Sequence, residues 1–174
     1  MTDIALPGFG APAVGFDTPF ALLHACHERV QRTLALQHKL VGYLHQHTCD
    51  EQARQAARDV LRYFDIAAPL HHEDEERHVF PPLLAQGDAA TVARVQQLQR
   101  EHLRMAADWQ CARLPLQALA QGQQDAFSQD DEAALARFAS HYAAHLRSEE
   151  DVVYPAVQAV LSDSTLRAMG QEMR

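Results

Sequence analysis

Apolar residues recur along this chain at intervals of three and four. Phe20, Leu23, Val30, Leu34, Val41 and Leu44 share one face of a helix, and Ala53, Ala57, Val60, Leu61 and Phe64 repeat the pattern. Turn and capping residues separate the periodic stretches: "HTCD" at 47–50, "AQGD" at 85–88 and "QGQQ" at 121–124. The first helix is expected to start at Thr18 as N-cap, with Pro19 in the first helical position. The second follows an Asp50 cap, the third runs over about 89–120 behind Asp88, and the fourth runs from Ser128 or Asp130 to Leu161. Pro69 is expected to kink or restart the second helix, and Pro115 to kink the third.

These elements predict an all-α fold, an antiparallel up-down-up-down four-helix bundle. Helices of about 30 residues would be roughly 45 Å long. Residues 1–17, rich in glycine and proline, read as an irregular N-terminal arm, 18–161 as the bundle, and 162–174 as a short C-terminal helix capped by Ser162 or Ser164, or a tail. The 174 residues suffice for one domain with a real core.

Composition narrows the classes of function. Ala, Leu, Gln and Arg are abundant and β-branched runs are few, which favours helix over sheet. The formal net charge is −8 with no basic stripe, so nucleic acid is not an expected partner. No apolar run reaches membrane-spanning length, and "MTDIALPGFGAPAVGF" lacks the charged and apolar regions of a signal peptide, so a cytoplasmic protein is expected. Cys26, Cys49 and Cys111 match no zinc or CxxC spacing and read as reduced, structural residues.

The chemistry lies in a repeat. "HHEDEERHVFPPL" at 71–83 puts an ionisable cluster on a helix that should be amphipathic. His71, Glu75, Glu76, Phe80 and Pro81 recur 74 residues later as His145, Glu149, Glu150, Tyr154 and Pro155. "CHERV" at 26–30 resembles "EHLRM" at 101–105, with His27 over His102 at an offset of 75. The chain thus reads as two related helical hairpins. Residues i and i+4 lie on one helix face, so His71 points with Glu75, and His145 with Glu149. In an antiparallel hairpin, residues equidistant from the turn sit at one height. The midpoints of His27 and His71, of His71 and His102, and of His102 and His145 all fall in the three turns. Four imidazoles and two carboxylates are therefore expected in one layer.

A buried carboxylate protonates or finds a cation. Four histidines with two carboxylates able to bridge can hold two divalent metals, and this mixed nitrogen–oxygen set favours a carboxylate-bridged iron pair, with zinc or another divalent ion as the alternative. No thiolate pattern suits an iron–sulfur cluster.

"CHERV", "HHEDEERHVFP", "EHLRM" and "HYAAHLRSEEDVVYP" together resemble the hemerythrin-like, HHE cation-binding domain family over residues 18–160. The resemblance implies a non-haem di-iron site bridged by Glu75 and Glu149, with His27, His71, His102 and His145 as nitrogen ligands. The oxygen carriers of that family have a second histidine one turn along the third helix, where this chain has Ala106. The pattern is closer to members with four histidines and two glutamates, among them iron-cluster repair proteins. Their paired cysteine motif has no counterpart before Cys26.

Other residues carry weaker expectations. His24, His72, Glu76, His78 and His141 are candidates for an additional ligand or for a partner to one. Each also reads as ordinary packing or surface. Tyr63, Tyr142, Tyr154 and Trp109 read as core. Glu73, Asp74 and Arg77 read as a solvated face, and His38, His45 and His47 as solvated histidines. Three functions follow: binding of oxygen or nitric oxide for sensing, storage or protection; a di-iron redox enzyme or iron-cluster repair protein; and a metal-storage or metal-stabilised bundle. A protein partner is not specified by the residues.

Overall fold

A computed structural model describes residues 19–173, and these form helices joined by short turns, with no strand among them. We number five helices. α1 is Pro19–Leu44 and α2 covers 51–86. α3 is Ala89–Ala120, α4 covers 129–160, and α5 is Asp163–Glu172. The expected Thr18 cap and the N-terminal arm lie outside the described residues. No described helix is long and apolar enough to cross a membrane.

The ends of the helices follow from their capping residues. Asp50 accepts from the Ala53 N–H, Asp88 from the N–H groups of Ala90 and Thr91, and Ser162 from that of Thr165. Ser128 and Asp131 form a reciprocal capping box at the start of α4. α3 runs through Pro115, and Gly122 leaves it with a φ of 69°, a left-handed conformation that disfavours any side chain.

Pro69 does not break α2. The helix passes it with a π turn over Tyr63–Ala67, in which the Ala68 N–H bonds to the Tyr63 carbonyl. Two more π turns, Glu75–Val79 and Glu149–Val153, precede Pro81 and Pro155. A proline ring clashes with the carbonyl four residues back and donates no hydrogen bond; the wider turn absorbs that clash without ending the helix. The π turns at Glu75 and Glu149 are themselves one 74-residue repeat apart.

The core is split in two. One apolar cluster includes Val30, Val60, Phe64, Met105, Trp109 and Phe138, and the other Phe20, Leu23, Val79, Phe80, Leu98 and Tyr154. Each of the four long helices contributes to both, and successive helices meet the clusters in opposite order. Between the clusters lies a layer of buried polar residues: His27 on α1, His71 and Glu75 on α2, His102 on α3, His145 and Glu149 on α4. Met169 of α5 and Met173, just after it, cover the second cluster.

Three sequence expectations are refined. The α-helix restarts at Ala68, beside Pro69, and a π turn carries α2 past this point without a gap. Asp74 is buried: it stands three residues beyond His71, on the face that α2 turns to the bundle. Tyr154 belongs to the core, as expected, but its hydroxyl reaches the polar layer.

The capping box gives a first test. Ser128→Ala should lower the unfolding free energy by about 1 kcal/mol, read as a lower urea midpoint at unchanged slope. An unchanged midpoint would mean that α4 does not depend on this cap.

Candidate metal centre

The four helices bring all six predicted residues into one cluster. Two groups of convergent donor atoms form within it: His27, His71, Glu75 and Glu149, and beside them His72, His102 and His145. The glutamates link the groups. His102 Nε2 lies 3.5 Å from Glu75 Oε2 and 3.6 Å from Glu149 Oε1, and His145 Nε2 lies 2.9 Å from the same Glu149 oxygen. His27 Nε2 is 3.3 Å from Glu149 Oε2, and His71 Nε2 is 3.6 Å from Glu75 Oε2.

Carboxylates hold three of the imidazoles by their outer nitrogens. His27 Nδ1 lies 2.8 Å from Glu150, His102 Nδ1 lies 3.0 Å from Glu76, and His145 Nδ1 lies 2.9 Å from Glu101. A carboxylate only accepts, so each Nδ1 carries the proton and each Nε2 presents a lone pair inward. Gln99 in turn donates to Glu76 at 2.7 Å. His71 has no such partner: both its ring nitrogens are buried without a hydrogen bond.

Glu75 Oε2 and both oxygens of Glu149 are also buried without a hydrogen bond, despite the imidazole nitrogens around them. Nitrogens and oxygens that converge closely yet do not bond to one another share a missing partner, and a cation supplies it. Two ligand atoms about 2.1 Å from one ion and at right angles lie about 3 Å apart, close to the 2.9–3.6 Å spacings here. The donor set therefore fits divalent metal.

Protonation follows the same environment. Burial pushes His71 down to about 3, helped by the neighbouring His27. Burial, with the Glu149 charge beside it, pushes Glu75 well up. Burial also opposes ionisation of Glu149, but the imidazoles of His102, His145 and His27 outweigh it and hold that carboxyl well below its usual range. In the metal-free protein, burial and the adjacent glutamates push the Tyr154 phenol up, so it is a donor there. That phenol donates to Glu75 Oε1 at 2.5 Å and lies 3.0 Å from His27 Nε2.

A family model for the hemerythrin HHE cation-binding domain matches residues 18–157. The chain belongs to this family. It is also 29% identical over 158 residues, 91% of its own length and 89% of the other's, to an uncharacterized protein of Haemophilus influenzae.

The weaker candidates divide. His72 stacks on His102 with ring centroids 4.0 Å apart and joins the second donor group. Glu76 is a partner of His102 through its outer nitrogen. His24, half exposed, sits 3.4 Å from Glu150 on the outer side of His27. The structure takes His141 and His78 away from the cluster. His141 pairs with Asp108 at 2.6 Å, and His78 faces Glu172 at 3.9 Å on α5. Sequence reasoning missed Glu101 as a partner. Its place beside His102 in the chain gave no signal, because the role depends on how α3 meets α4.

Two tests follow. Glu76→Ala should weaken metal binding by about 10- to 100-fold, measured by competition with a chromophoric chelator; equal affinity would remove Glu76 from the support of His102. In metal-free protein the unfolded chain binds a proton at His71 near pH 6.5, whereas the folded protein resists it down to about 3. Stability arising from this residue therefore falls as pH drops through that window. NMR titration of the metal-free protein should show the His71 ring unmoved across the ordinary histidine range.

Proposed function

We propose that this HHE-domain protein holds a non-haem pair of iron ions and binds a small diatomic ligand, oxygen or nitric oxide, for sensing, storage or protection. The observation that carries the reading is the pair of abutting donor groups joined by Glu75 and Glu149. His27 and His71 serve one ion and His102 and His145 the other, with the two carboxylates between them. The reading takes the bundle as up-down-up-down, with α5 added at one end.

Iron supplies reversible redox and gas-binding chemistry at such a centre. The protein orients the four imidazoles, keeps Glu149 ionised, and excludes bulk water with an apolar cluster on either side of the layer. Cys26, Cys49 and Cys111 are free thiols, which suits a reducing, cytoplasmic setting. A di-iron redox enzyme or an iron-cluster repair protein would use the same residues. Sustained turnover with retained metal separates those from reversible binding.

The test is metal analysis of protein purified without added metal, with optical spectra before and after reduction and exposure to oxygen or nitric oxide. About two irons per chain and a spectrum that responds to the gas are expected. Zinc, or no metal with a stable fold, would overturn the iron reading. Metal at 100 times its dissociation constant adds about 2.7 kcal/mol to stability, so Glu149→Ala should lose both the iron and the metal-dependent rise in melting temperature. Full occupancy and unchanged melting in that variant would count against Glu149 as a ligand.

A further inference from the structure

The two halves of the centre are related by the internal repeat, and the repeat is broken where it touches the donor atoms. His71, Glu75 and Glu76 correspond to His145, Glu149 and Glu150, and Phe80 corresponds to Tyr154. The correspondence holds in space. Phe80 stacks on His102 with centroids 5.6 Å apart and 20° between planes, and Tyr154 stacks on His27 at 5.5 Å and 22°. The two rings differ by one oxygen, and that oxygen points inward.

Its surroundings are those of a ligand atom. The Tyr154 oxygen lies 2.5 Å from Glu75 Oε1 and 3.0 Å from His27 Nε2, and the side chain is buried. The His27 Nδ1 proton is committed to Glu150, so Nε2 has a lone pair and no proton. A metal on that lone pair leaves Nε2 unable to accept from the phenol as well. The 3.0 Å separation then matches two atoms bound to one ion at right angles.

The π turn explains how the ring gets there. In an unbroken α-helix Val153 would stand one turn beyond Glu149, with Tyr154 swung about 100° further round. The bond from the Tyr154 N–H to the Glu149 carbonyl brings Val153 and Tyr154 together into the interior, at 0% and 1% exposure.

From this geometry we infer that Tyr154 is a phenolate ligand to the metal held by His27, His71 and Glu75, so that the two metal positions are inequivalent. The inference rests on the metal-binding reading above. Ligation breaks the phenolic O–H bond, forms one metal–oxygen bond and releases a proton to the buffer, with no electron transferred. Phe80 offers no such oxygen to the other half, and His72 stands there where the repeat would place Leu146. The phenolate oxygen is thereby confined to the His27–His71 side.

The experiment is resonance Raman and visible absorption spectroscopy of full-length protein loaded with ferric iron, with metal content measured on the same samples. Enhanced tyrosinate ring modes and a phenolate-to-iron charge-transfer band are expected in the wild type. The band per bound iron should be lost in Tyr154→Phe. Iron bound without tyrosinate modes in the wild type overturns the inference and leaves the metal reading standing, and this arm needs no variant to fold. Modes that persist in Tyr154→Phe overturn the assignment to this residue. A wild type that binds no iron overturns both.

Discussion

Six ionisable side chains are buried in one layer between two apolar clusters, and the rest of the structure answers to that constraint. Neither cluster can close over the layer unless the charges in it are compensated. The protein compensates them in two ways. Carboxylates at the edge take the outward imidazole protons, at 2.8 Å from His27, 3.0 Å from His102 and 2.9 Å from His145. The inward lone pairs and carboxylate oxygens are left facing one another, and a cation, or protonation of a carboxylate, offsets their mutual cost. Metal bound in that layer would therefore add to the stability of the fold.

The π turns belong to the same solution. Glu75 and Glu149 each open one, and each turn ends just before a Phe–Pro or Tyr–Pro pair. Each sets the N–H of Phe80 or Tyr154 on the carbonyl of the glutamate five residues back, which shifts the helical register by one residue beyond the His–Glu pair. Val79 and Phe80, like Val153 and Tyr154, are buried beyond that shift, and each aromatic ring stacks on the imidazole of a neighbouring helix. The proline that follows makes the wider turn affordable, because a regular helix would lose a hydrogen bond at that point in any case.

Much of this was legible in the sequence, and the limits are physical. The His-xxx-Glu pairs, their 74-residue repeat and the turn midpoints located the six-residue layer, because helical periodicity and antiparallel pairing are fixed by backbone geometry. Chain order could not place Glu101. Its role depends on which way α3 turns against α4, and i+1 neighbours of a ligand point elsewhere on their own helix. Asp74 read as solvated because it is charged and stands among charged residues, although its spacing of three from His71 puts it on the buried face. Tyr154 read as core and is core, but hydrophobic patterning is blind to the direction of a hydroxyl.

The departures from the repeat say more about function than the repeat itself. Two identical hairpins would produce two equivalent metal positions. Here Glu101 supports His145, while the corresponding position on α1 is Cys26 and His71 keeps an unpartnered Nδ1. An imidazole that donates to a carboxylate is a stronger and better oriented donor than one that does not. Tyr154 against Phe80, and His72 against Leu146, push the asymmetry further, each on a different half. Symmetric positions would suit simple metal storage. Divergence at side chains that touch the donors, in two hairpins that share the π turns opened by Glu75 and Glu149, would suit a centre whose two halves have separate tasks.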